Sequence, residues 1–150
     1  MGATHFSGPV VSGDLQQGET YGPNQGFAVL SQSTSITQNS TTAVSSTLYI
    51  PAGSRIVDFN IDVLTAYNSA TSATLTIGTA AAGTQYVGSI DAKTAGRAAI
   101  TYSAAQLAAM NGVTVTGTAA ATTPPVVVTV TPVGATSAGY VVVTVLYVQQ

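Results

Sequence analysis

The sequence predicts an all-β fold: an antiparallel β-sandwich or jelly-roll-like barrel, with an extended N-terminal arm and one short helix. Three observations lead there. Apolar and polar residues alternate with a period of two in several stretches, the pattern of strands with one buried face. Turn-forming residues recur roughly every 8–12 positions, which suits a sandwich or barrel of about eight or nine short strands. Thr, Val and Ile crowd the runs between those turns, and such residues favour pleated chain.

Residues 1–26 hold Gly, Ser, Gln and Pro with little periodicity, and read as an extended arm; residues 27–150 read as one β-sandwich domain. FAVLSQSTSI (27–36) and TTAVSSTLYI (41–50) are strands, and PAGS (51–54) is a turn. RIVDFNIDVLT (55–65) alternates, with Val57, Phe59, Ile61 and Val63 on the buried face and Asp58, Asn60 and Asp62 on the other. SATLTIG (72–78) turns Ala73, Leu75 and Ile77 inward. QYVGSI (85–90) and RAAITYS (97–103) are expected as two strands around a DAKTAG turn.

SAAQLAAMNG (103–112) is the helix. Ser103 as N-cap and Gln106 three residues later form a capping box, and Gly112 is placed to end it. VTVTG (113–117), VVVTVTP (126–132) and AGYVVVTVLYV (138–148) complete the strands. The last is apolar on both faces and is expected at a sheet centre. Pro124, Pro125 and Pro132 are expected at strand ends.

The 150 residues suit a single domain, and with no Cys the chain has neither disulfides nor thiolate metal sites. Charge is the unusual quantity: 5% of residues are Asp, Glu, Lys or Arg, against about 25% in ordinary soluble domains. A surface so poor in charge has little repulsion to keep copies apart, and suits a protein that lives inside an assembly. Arg55, Lys93 and Arg97 are the only Lys or Arg residues. That is too few for a phosphate backbone, so no nucleic-acid partner is expected. No basic start followed by an apolar run opens residues 1–26, so no signal peptide is expected. The longest apolar run is too short to span a bilayer and Thr144 interrupts it, so no membrane partner is expected either.

Catalytic chemistry finds little support. His5 is the single histidine, with no acid close to it in an extended arm; a general base needs a partner that tunes or orients it. DFNID (58–62) matches the first ligands of a calcium loop, but Val63 stands where that loop needs Gly, and the bidentate Glu is missing. A strand face produces the same spacing, so a solvent-facing polar row is expected. Asp91, Lys93 and Arg97 cluster near one turn, as a solvated group or a contact to a neighbouring subunit. Tyr49, Phe59, Tyr86, Tyr102, Tyr140 and Tyr147 lie within strand patterns and read as core or sheet-edge packing. No enzyme activity, no metal and no cofactor are expected.

Fully extended, the 26-residue arm would span about 85 Å, well beyond a domain whose radius of gyration is about 14 Å. Its apolar residues are the candidate partner-binding set: His5, Phe6, Pro9, Val10 and Val11. The start ATHFSGPVVSG resembles the N-terminus of small structural proteins of tailed bacteriophages. The body is similar to β-sandwich modules of phage head and virion proteins. It carries LYIPAGSRIVDFNIDVLTAYNSATSATLTIGT, followed by a Tyr-containing strand and a TAG turn. This resemblance implies a capsid decoration or cement protein, made in the host cytoplasm and carried on the virion's capsid surface. Such proteins brace neighbouring subunits of the major capsid protein, often as homotrimers, and no catalytic residues come with the family. The rival is a fibre or tail-tip module that contacts the host surface. It would need outward loops such as NSATS (68–72) or GATSAG (134–139) to form a ligand pocket.

Overall fold

Strands account for most of the described residues, which form two antiparallel sheets of four and one short helix. The computed structural model describes residues 11–12, 26–51, 54–111 and 125–149. The arm residues on either side of 11–12, the expected strand VTVTG, and Gly112 and Pro124 lie outside the described residues. In chain order the elements are β1 (Val11–Ser12), β2 (Gly26–Phe27), β3 (Val29–Thr37), β4 (Val44–Leu48), β5 (Ser54–Thr65) and β6 (Ser72–Gly78). Then come β7 (Val87–Asp91), β8 (Gly96–Arg97), α1 (Ala104–Asn111), β9 (Val126–Val133) and β10 (Tyr140–Gln149). One sheet runs β3-β10-β5-β8 and the other β4-β9-β6-β7, while β1 pairs with β2 in a separate two-stranded ladder.

The inner faces meet in one core. Phe59, Ile61 and Val63 of β5, Val141, Val143 and Val145 of β10, and Leu75 and Ile77 of β6 are all buried. β10 takes the central position expected from its apolar run, paired with β3 along Tyr140–Val148 and with β5 on its other side. β9 is buried on both faces from Val126 to Val130. Part of its cover is the loop after β6, where the Ala82 amide donates to Thr129 Oγ1 at 2.9 Å. Pro132 is compatible with β9 because the β4 pairing ends at Val130, so at Pro132 the strand is bonded on one side only.

Two expectations are corrected here. Val57, assigned inward, is 42% exposed, and Ile56 is buried in its place. Asp58 faces Leu146 while Ile56 faces Tyr147, so Val57 is the extra residue of a β-bulge, and a bulge shifts the alternation by one. A second irregularity, between Val63 and Thr65 at the far end of β5, leaves Leu64 without a partner on β10, and Leu64 is exposed. The DAKTAG stretch also does not join a hairpin: β7 pairs with β6 and β8 with β5, so the chain crosses from one sheet to the other.

Past Arg97 the ladder stops after two residues and the segment closes the side of the sandwich instead. Ala98 donates its amide to the Ile61 carbonyl at 2.9 Å, and Ile100, Tyr102 and Met110 pack on the core. The helix starts as its capping box dictates. Gln106 N–H donates to Ser103 Oγ at 3.3 Å, and Ser103 N–H donates to Gln106 Oε1 at 2.9 Å.

Candidate functional site

The arm nominated on sequence precedes β3 in the chain. His5, Phe6, Pro9 and Val10 lie outside the described residues; Val11 lies in β1, in register with Phe27 of β2.

The polar row on β5 is engaged by the chain itself. Asp58 Oδ1 accepts a 2.6 Å hydrogen bond from the Tyr102 hydroxyl and a 2.8 Å bond from the Phe59 amide. Burial, first, and the Asp58 carboxylate, second, raise the Tyr102 pKa. Asp62 forms a bidentate pair with Arg97, Nε to Oδ1 at 2.8 Å and Nη2 to Oδ2 at 2.9 Å. The Arg97 hydrogen bonds hold the Asp62 carboxyl below its ordinary range, and the Asp62 carboxylate raises Arg97 in return. Both carboxylates of DFNID therefore serve different donors, and each lies on the outer face of the sheet. Among the described residues no three His, Cys, Asp or Glu side chains gather as metal ligands would.

Asp91, Lys93 and Arg97 do not act as one group. Asp91 closes its own turn by accepting from the Lys93 amide at 3.0 Å and from Thr94 Oγ1 at 2.9 Å. Arg97 belongs to Asp62 across the sheet, and Lys93 Nζ reaches the Thr71 carbonyl at 3.4 Å.

The loops nominated for the rival reading are fastened to one another. Asn68 Oδ1 accepts from the Ser137 and Ala138 amides at 2.9 and 3.0 Å, and Asn68 Nδ2 donates to Ser137 Oγ at 2.9 Å. The Gln38 amide donates to Gly139 and the Tyr67 amide to Ala92. Tyr67, a residue sequence reasoning missed, is the centre of this end. It is 1% exposed, and its hydroxyl donates to the Ile36 carbonyl at 3.1 Å. A Cβ at Gly139 would come within 2.4–2.7 Å of the Tyr67 ring, so the ring's seat requires glycine there. A lone Tyr after a strand and a Gly some seventy positions later carry no shared signal in the sequence (about 72 apart by number).

The exposed surface of the β3 and β4 side has a different character. Ser31, Ser33, Ser35 and Thr37 are exposed along β3, as are Ser45 and Thr47 on β4. Val29, Leu30 and Tyr49 add exposed apolar groups at one end, at 57%, 41% and 72%. From Glu19 to Arg55 no charged residue intervenes. Among the described residues this side is neutral and hydroxyl-rich.

No protein-family model matches the chain, and no curated protein does. Among solved structures, a chain of the cyanophage Pam1 capsid asymmetric unit is similar with a TM-score of 0.55 at 20% identity. The alignment covers 93% of this chain and 99% of that one. At this identity the likeness is one of fold, and it extends over nearly the whole of both chains.

Proposed function

We propose that this chain is a non-catalytic virion protein that decorates a phage capsid and cements neighbouring subunits of its major capsid protein. The observation that carries the reading is the end-to-end fold likeness to a chain from a phage capsid. The strand order supports it. Counting β3 as first and β10 as eighth, the sheets run first-eighth-third-sixth and second-seventh-fourth-fifth. We read this as a double-sheet jelly roll, an architecture that viral capsid domains use. The charge content of 5% agrees, because a molecule held in an assembly needs little self-repulsion.

The mechanism is physical. A protein that binds the assembled shell and not its loose subunits stabilises the shell by mass action. Each copy contributes little, and many copies multiply it. As a homotrimer, one unit would present three N-terminal segments together, so each later segment would bind at a raised effective concentration. His5, Phe6, Pro9, Val10 and Val11 would supply the apolar contacts of each segment.

The test is co-sedimentation with capsids. Full-length protein is expected to pellet with purified capsids, and a variant lacking residues 1–26 is expected to lose at least tenfold in apparent affinity. Undiminished binding by the truncated chain would take the arm out of the account, and no binding by the full chain would end the cement reading.

A further inference from the structure

Of the sandwich's two lateral sides, one is closed by the chain itself. The free side of β5 is bonded by β8 and then by Ala98 and Tyr102, and α1 reaches the β7 side where Gln106 Nε2 donates to the Thr84 carbonyl at 3.2 Å. The opposite side is formed by two edge strands. β3 ends one sheet and β4 ends the other, and among the described residues neither has a strand partner on its outer edge. Among the described residues a side-chain contact bridges them, Thr34 Oγ1 to Ser46 Oγ at 2.6 Å. Natural edge strands carry bulges, prolines or lysines that block strand addition. β3 carries none of these over nine residues, and its register with β10 is unbroken.

Charge is segregated in the same sense. Every charged side chain of the described residues lies on β5, β7, β8 or the loop between β7 and β8. Near a rotation axis each charge meets its own copies, and like charges placed together select against association. A side without charges carries no such penalty, and among the described residues β3 with β4 is that side.

We propose that the β3–β4 side is where a second copy of this chain binds, with the β3 edge of one copy alongside the β4 edge of the next. Within a copy the two strands run in opposite directions, joined by the short 38–43 connection. Rotation about an axis parallel to the strands therefore sets β3 antiparallel to the neighbour's β4. With a two-fold axis the same β3–β4 side meets itself and the contact is isologous; with a higher rotation it is heterologous and forms a ring when the rotation closes. Main-chain bonds of strand addition supply the attraction, and Val29, Leu30 and Tyr49 are covered at one end. The inference deepens the capsid reading by giving its self-association a surface, but its test needs no capsid.

The test is the solution mass of the full chain by sedimentation equilibrium. The unaltered protein is expected at a whole multiple, two or more, of 14.9 kDa. S33K/S35K, which puts two lysines on the exposed β3 edge, is expected to sediment as a single chain with an unchanged circular dichroism spectrum. A95K/A99K, with the same added charge on the closed side, is expected to keep the parent mass. If S33K/S35K does not fold, T47K on β4 takes its place. A monomeric parent, or β-edge variants that keep the parent mass, would overturn the proposal. Loss of capsid binding with self-association intact would count against the cement reading alone.

Discussion

Tyr67 joins the two sheets' loops at the level of a single side chain. Its ring fills the space that Gly139 leaves, and its hydroxyl holds the β3 carbonyl of Ile36. Burial pushes its pKa up to about 12 from an ordinary 10.0. The folded state thus keeps the proton longer than the unfolded chain does. The associated stability is whole below pH ~10 and is lost as pH rises from ~10 to ~12, at up to about 1.4 kcal/mol per unit. Denaturation curves should therefore be flat from neutrality to pH ~9 and fall steeply above pH ~10. Tyr67→Phe should cost about 1 kcal/mol at pH 7 through the lost hydrogen bond, and should shallow the alkaline fall. It should not abolish that fall, because burial also raises Tyr86 and Tyr102. An alkaline limb identical in parent and Y67F would assign the effect to other groups.

At the scale of elements, what was legible depended on whether the signal was local. The capping box at Ser103 and Gln106 is a local rule, and both of its hydrogen bonds form. Ser103→Ala should cost about 1 kcal/mol, read as a lowered denaturation midpoint with little change in m-value. The alternation of Ala73, Leu75 and Ile77 was equally direct, and all three are fully buried. The failures were non-local. Nothing near Val57 marks a bulge, since the extra residue is set by how β5 meets β10 at Leu146 and Tyr147. The crossing between sheets after β7 is likewise invisible, because a turn reads the same whether it joins neighbours or opposite layers. The polar row on β5 was seen, but its partners Tyr102 and Arg97 come from a segment 35 to 44 residues later.

For the whole molecule, strand order and charge distribution point the same way. The loops at one end are tied by Asn68 and Tyr67, one lateral side is closed by residues 98–111, and among the described residues the other side carries no charge and ends in two edge strands. A scaffold of this kind acts by covering area and repeating it. The account stands or falls on whether the chain tiles a shell, so the most direct measurement is its copy number per purified virion relative to the major capsid protein. The account predicts a fixed ratio, near one or a large simple fraction of it, constant between preparations. A handful of copies per particle would assign the chain to a fibre or tail tip, and its absence from virions would contradict the account altogether.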